Sequence, residues 1–317
     1  MLGVFLDRDT MAVEDLDFGP LDTAVDEWRN YGASDPAQID ERIQGAAVVV
    51  VNKVVLNAAN LEVSTDLKLV CIAATGTNNV DLDAAKRQGI RVTNVRGYGT
   101  ASVSQHVVAL LLALATRLPD YHQAVQSGRW QGERQFCFLD FPIHQIRGAT
   151  LGIVGYGELG RGVAELAEGL GMRILIAQRP GGEPQAGRVP LAELLPRVDA
   201  LTLHCPLTPD TQNLIGHKEL TLMKPTALLI NAARGGIVDE QALADALRNG
   251  VIAGAGVDVL SQEPPVNGNP LLEGGIPNLI VTPHVAWGSQ PARQTIVDEL
   301  AANIRAYFAG ETRNVVA

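Results

Sequence analysis

The sequence is short of aromatic residues, of cysteine and of positive charge, and it has no long apolar run. Aromatics make up 4 % of its 317 residues, whereas glycine reaches 32. Tight turns and small-residue contacts suit an α/β protein better than a β-sandwich. Lysine and arginine number 25 against 35 aspartates and glutamates, for a net charge of −10. An acidic chain repels phosphate backbones and anionic lipid, so neither nucleic acid nor a membrane is expected as a partner. Cys71, Cys137 and Cys205 are odd in number and have no paired or metal-ligand spacing. That argues against a disulfide framework and for a reducing compartment, the cytoplasm. The longest apolar run, 107–115, is too short to span a bilayer. Charge arrives at Asp7 and no long apolar stretch comes after it, so no secretion signal is expected. The histidines lack ligand spacing, and no metal is expected.

What is present is 46 % hydrophobic and 19 % charged residues, enough for about two folded domains at this length. Apolar runs at 4–6, 46–51, 69–74 and 90–92 read as short buried strands. A short helix is predicted over 81–89, with Gly89 at its C-terminal cap. Val103, Val107, Leu110, Leu111, Leu114 and Leu118 recur at helical spacing and predict one long buried helix over 101–127, bridging into a second domain. New strands are predicted at 151–154, 173–177, 200–204, 227–230, 253–257 and 279–281, with a loop at 181–184. From Pro291 one amphipathic helix and a short tail at 314–316 have no partner in that series. The simplest topology returns them to the first domain. Strands alternating with helix-length segments predict βαβ units, hence two doubly wound parallel-sheet domains.

Gly155-Tyr156-Gly157-Glu158-Leu159-Gly160 comes directly after a predicted strand and opens a predicted helix. In that setting the first glycine permits the turn, the second lets backbone approach a pyrophosphate, and the third lets helix pack on strand. The pyrophosphate then sits at the helix N-terminus. About 20 residues on, an acid that would hold a ribose 2′-OH is replaced by Gln178, with Arg179 next to it. Arg179 could pair with a 2′-phosphate, which leans towards NADP; alternatively it is simply solvated and NAD is used. The cofactor is therefore read as NAD(P).

Three segments lie at or just after predicted strand ends: 230–236 with Arg234, 256–265 with Asp258 and Glu263, and 281–287 with His284. Ligands bind at the carboxyl ends of strands in such sheets. In the first domain Asn52, Lys53, Thr75, Gly76 and Thr77 also lie just past strand ends. A turn rich in Gly and Thr presents backbone N–H groups to a carboxylate, or is an ordinary βα turn. Lys53 adds charge for an anion or is solvated. Trp130 and Trp287 either wall a pocket or belong to the core.

These motifs resemble the D-isomer-specific 2-hydroxyacid dehydrogenase family over nearly the whole chain: the glycine fingerprint, Met223-Lys224-Pro225 through Asn231-Ala232-Ala233-Arg234-Gly235, Glu263 before Pro264, and His284 after Thr282-Pro283. The stretches 73–81 and 52–56 resemble the glycerate dehydrogenase (hydroxypyruvate reductase) branch. The resemblance implies a discontinuous flavodoxin-like substrate domain of residues 1–100 and 286–317, and a Rossmann cofactor domain of residues 101–285. It implies hydride transfer between NAD(P)H and a small 2-oxo acid, hydroxypyruvate or glyoxylate giving D-glycerate or glycolate, by a homodimer. Arg234, Glu263 and His284 are the implied catalytic set. Asn52, Lys53, Thr75, Gly76 and Thr77, with Arg234 and His284, are the implied substrate contacts. Around the dinucleotide it implies Val103, Gly155, Gly157, Glu158, Leu159, Gly160, Gln178, Arg179, Cys205, Pro206, Thr211, Ala232, Ala233, Arg234, Asp258, His284 and Gly288. Asp258 could instead simply brace a strand end, and no catalysis is expected of His204.

The chemistry stands independently of the resemblance. Arg234 can hold a carboxylate with a two-pronged contact and polarise the adjacent ketone. A cationic His284 can protonate the developing alkoxide, and Glu263 can orient its ring and favour the charged form. Two rival readings share the scaffold: a phosphite dehydrogenase, whose small anion the same arginine could hold, and a non-catalytic dinucleotide-sensing binding protein.

Overall fold

The structure is a computed structural model that describes every residue except Pro180 and Pro184, so the loop expected at 181–184 lies partly outside the described residues. Two compact units divide the chain: Met1–Gly99 with Gly288–Ala317, and Thr100–Trp287.

In the first unit β1 (Leu2–Phe5), β2 (Glu27–Asn30), β3 (Val48–Val51), β4 (Leu69–Ile72) and β5 (Arg91–Thr93) form a parallel sheet in the order β2-β1-β3-β4-β5. Gly3 lies opposite Val48, and Leu69 opposite Arg91. The four valines of β3 are all buried, as β-branched residues are in a parallel strand covered on both faces. The edge strand β2 reads Glu-Trp-Arg-Asn and is largely exposed; without apolar alternation it gives no strand signal in the sequence. Helix Leu82–Arg87 is capped by the Asp81 carboxylate, which accepts from the Ala84 N–H at 2.9 Å, and Gly89 leaves it at φ +70°. The C-terminal helix Gln290–Phe308 buries Ile296, Val297, Leu300 and Ile304 and packs against β4. Beyond it the tail joins β5, where the Val316 N–H donates to the Val92 carbonyl at 2.8 Å.

The second unit holds β6 (Thr150–Val154), β7 (Arg173–Ala177), β8 (Arg188–Val189), β9 (Ala200–Leu203), β10 (Leu228–Asn231), β11 (Gly254–Val257) and β12 (Leu279–Val281). They form a parallel sheet in the order β12-β11-β10-β9-β6-β7-β8. One face is covered by a core that includes Leu201, Leu229 and Leu243, the other by Val107, Leu111, Ile153 and Val163. Strand order reverses between β6 and β9, so the carboxyl ends of those two strands flank a crevice suited to a ligand.

The single helix expected over 101–127 is instead two, Thr100–Thr116 and Leu118–Gln126, bent by 61°. Arg117, at φ +54°, makes the break. The cause is Pro119, whose ring would clash with the Ala115 carbonyl in a continuous helix. Leu118, expected on the buried stripe, is 61 % exposed as a result.

Candidate active site

The glycine loop is built as the spacing implies. β6 ends at Val154, Gly155 turns at φ +91°, and helix Glu158–Gly169 begins three residues later. A Cβ on Gly155 would lie 2.6 Å from the Cys205 nitrogen, and one on Gly160 would overlap the Gly155 carbonyl oxygen. The chain itself therefore requires the first and third glycines. A Cβ on Gly157 would meet nothing within 4 Å. Folding does not demand that glycine, and the open space beside a helix N-terminus fits a dinucleotide pyrophosphate. Among the neighbouring expectations, Leu159 packs partly into the core and Val103 is 7 % exposed within it. The exposed Glu158 carboxylate accepts from the Thr100 hydroxyl.

After β7, Gln178 folds its own loop back. Its amide donates to the carbonyls of Gly182 at 3.2 Å and Glu183 at 2.5 Å. Arg179 is exposed. After β9 come His204, Cys205 and Pro206. Thr211 pins this turn, donating to the Pro206 carbonyl at 2.7 Å while accepting from the Thr208 N–H at 2.7 Å. Its hydroxyl is thus used within the turn. Burial pushes His204 down to about 4, so its ring is neutral near pH 7. Its Nε2 is 2.9 Å from Thr202 Oγ1, and its buried Nδ1 has no hydrogen-bond partner among the described residues.

β10 delivers the arginine turn. The Asn231 side chain donates to the Arg234 carbonyl at 2.9 Å and accepts from the Ala233 N–H at 3.1 Å. Ala232 and Ala233 are buried while Arg234 is exposed, its Nη1 donating to the Ala233 carbonyl at 2.6 Å. β12 delivers His284, which stands at φ +54° with its N–H donating to the Asp258 carbonyl at 2.7 Å. His284 Nδ1 is 2.7 Å from Glu263 Oε2, and Glu263 Oε1 accepts from the Leu260 N–H at 2.8 Å. A carboxylate only accepts, so Nδ1 carries the proton and Nε2 is the ring's other edge. Trp287 is part of this loop, its indole N–H donating to the His284 carbonyl at 2.9 Å, whereas Trp130 is 52 % exposed and belongs to no core.

Asp258 sits at the end of β11 with its side chain fully buried. Its Oδ1 accepts from the Thr282 hydroxyl at 2.5 Å and the Val285 N–H at 2.9 Å, and its Oδ2 from the Ala286 N–H at 2.9 Å. It braces the loop that carries His284. His106, absent from the sequence-based set, joins the same network with Nε2 3.1 Å from Thr282 Oγ1 and 3.5 Å from Asp258 Oδ1. The single Thr282 proton goes to Asp258, so His106 Nε2 is the donor to Thr282. The sequence signal was a histidine on a helix of otherwise apolar pattern.

In the first unit Asn52 lies just past the end of β3. It is 3 % exposed and its amide donates to Thr10 Oγ1 at 3.0 Å, so it braces its turn. Lys53 is exposed. The Thr75 hydroxyl donates to the Val95 carbonyl at 2.8 Å, while the N–H groups of Gly76 and Thr77 have no acceptor among the described residues. Gly288 accepts from Arg293 through its carbonyl at 3.0 Å and belongs to this unit. Among the described residues no cluster of His, Cys, Asp and Glu could hold a metal, and no single helix is long and apolar enough to cross a membrane.

Residues 108–286 match the family model for the D-isomer specific 2-hydroxyacid dehydrogenase NAD-binding domain. The glycerate dehydrogenase of Methylorubrum extorquens is 48 % identical over 316 residues, covering 99 % of this chain and 98 % of that one. The hydroxypyruvate reductase of Blautia hydrogenotrophica is 37 % identical, covering 89 % and 88 %. Among solved structures, an NADPH-dependent glyoxylate/hydroxypyruvate reductase from Sinorhizobium meliloti in complex with NADP and malonate superposes with a TM-score of 0.82 at 30 % identity, covering 100 % and 96 %. The chain belongs to the D-isomer specific 2-hydroxyacid dehydrogenase family, and is an NAD(P)-dependent oxidoreductase of that family.

Proposed function

We propose that this family member reduces hydroxypyruvate, and glyoxylate beside it, to D-glycerate and glycolate, with Arg234, Glu263 and His284 as its catalytic set. The observation that carries the reading is the 2.7 Å contact between Glu263 and His284 Nδ1. It fixes the ring so that Nε2 is the edge left for a ketone oxygen. Arg234 holds the carboxylate of the acid in a planar two-pronged contact and draws charge towards the ketone oxygen. Protonated His284 then gives its Nε2 proton to that oxygen as the carbonyl carbon is reduced. In the reverse direction neutral His284 takes the proton from the hydroxyl. A nicotinamide bound at the glycine loop supplies or takes the hydride. Lys53 and the N–H groups of Gly76 and Thr77 are the proposed contacts of the acid in the first unit.

The same reading prefers NADPH, because Gln178 and exposed Arg179 stand where an acid would repel a 2′-phosphate. It places the protein in the cytoplasm, in keeping with its free thiols. It also makes it a homodimer, a second copy covering the apolar side chains of Leu118, Trp130, Phe136, Leu139 and Ile143, each more than half exposed. A mass near 33.7 kDa in light scattering would overturn the dimer.

The deciding experiment is steady-state oxidation of NADPH and NADH with hydroxypyruvate, glyoxylate, pyruvate and no acceptor. Turnover with hydroxypyruvate, reduced about 10²- to 10⁴-fold in kcat/KM by His284→Ala, is the expected result. Oxidation of phosphite in place of any 2-oxo acid reduction, or dinucleotide binding without turnover, would overturn it. Higher efficiency with NADH than with NADPH would overturn the cofactor preference.

A further inference from the structure

Asp7 lies just past the first strand of the first unit and is 3 % exposed. Its carboxylate collects three consecutive backbone N–H groups: Oδ1 accepts from Asn52 at 2.8 Å, and Oδ2 from Lys53 at 2.6 Å and Val54 at 3.0 Å. Consecutive N–H groups converging in this way form an anion site, and here the anion is the chain's own. Thr10 locks the arrangement, donating to the Asp7 carbonyl at 2.6 Å and accepting from the Asn52 amide at 3.0 Å. The Asn79 amide adds a further tie, donating to the Val54 carbonyl at 3.0 Å.

Packing holds this turn on one side only, through the buried Asn52 and through Val54, which lies against the core. Its outer side borders a cavity of about 540 Å³ lined by Thr10, Ser34, Lys53, Val54, Asn57 and Asn60. A turn beside such a space has room to shift, and hydrogen bonds to buried groups decide where it stays. The bonds to Asp7 also consume the N–H groups of Asn52, Lys53 and Val54, so none of them is left for the carboxylate of an incoming acid.

We propose that Asp7 is a positioning residue of the reaction, holding the 52–54 turn so that Lys53 stands ready for the acid while the turn's own N–H groups are withheld from it. This rests on the reading of Lys53 as a contact of the acid substrate. The Asp7 carboxylate is spent on backbone N–H groups, so its loss acts through the turn they belong to. In Asp7→Asn the amide nitrogen cannot accept, so at least one of the three backbone N–H groups loses its acceptor, which loosens the turn.

The test uses the full-length protein, with KM for hydroxypyruvate at saturating NADPH and the dissociation constant of NADPH by fluorescence titration. Asp7→Asn is expected to raise KM for the acid roughly 10- to 100-fold, with NADPH binding within about twofold of wild type. Thr10→Val, which keeps the carboxylate but removes the Asn52 tether, is expected to raise KM in the same direction by a smaller factor. An unchanged KM in folded Asp7→Asn overturns the inference. So does an equal loss of acid and NADPH binding, which is the mark of a general loosening. If Asp7→Asn does not fold, Thr10→Val decides by the same criteria. A wild-type protein that reduces no 2-oxo acid fails the parent reading; a wild type that turns over, with Asp7→Asn unchanged, fails this inference alone.

Discussion

The two units share a design and differ in the turn that leaves the first strand of each. Both sheets are parallel and reverse their strand order beside that strand, β1 in one and β6 in the other. β6 runs into Gly155-Tyr156-Gly157, where the space beside Gly157 is open. β1 runs into Leu6-Asp7, where a buried carboxylate takes up the neighbouring N–H groups. One scaffold leaves its anion place open for a dinucleotide; the other fills the comparable place with its own side chain. A second aspartate repeats the device in the larger unit, where Asp258 gathers the 282–286 loop as Asp7 gathers the 52–54 turn. The loop held by Asp258 carries a histidine, His284, and the turn held by Asp7 a lysine, Lys53. All six histidines also lie in the larger unit.

The comparison of the two aspartates is sharpest in kinetics. Asp258→Asn loosens the loop of His284, and kcat for hydroxypyruvate reduction should fall by about 10²-fold. Asp7→Asn should act mainly on KM for the acid. If both variants changed the same parameter, the division of labour between the units would be wrong.

The next effect is on stability. His204 has a folded value near 4 against an ordinary 6.5, because burial disfavours its charged form. Below about pH 6.5 the unfolded chain binds a proton that the folded chain refuses. Stability from this residue is therefore complete above pH 6.5 and lost as pH falls towards 4, by about 3 kcal/mol in all. Denaturant unfolding measured from pH 7 to pH 4 should show this slope, and His204→Gln should flatten it whatever that variant's absolute stability. An unaltered slope would remove His204 as the cause.

The smallest effect is the most selective. Gly157→Ala places a methyl group where the protein has no atom within 4 Å. The unfolding midpoint should stay near that of wild type, while the dissociation constant of NADPH rises about tenfold, roughly 1.4 kcal/mol. Unchanged binding would mean that the space is not the pyrophosphate cradle.

Much of the site was legible because its constraints are local. A glycine at φ +91° ahead of a helix start is written into six residues, and the buried valines of β3 into four. The break at Arg117 was legible too, through Pro119, but the apolar period of 103–118 outweighed it. β2 left no trace, since an exposed edge strand needs no apolar pattern.

The sequence by itself determined the α/β class, the glycine loop, and the chemical types that reach strand ends. Those depend on backbone conformation and hydrophobic period, which near neighbours set. Only the tertiary structure decided which polar group answers which. Asp7 meets the N–H groups of residues 52–54, Asp258 the loop of 282–286, and Glu263 the ring of His284. A buried donor must find an acceptor, but when the strands are laid side by side that acceptor can come from anywhere along the chain.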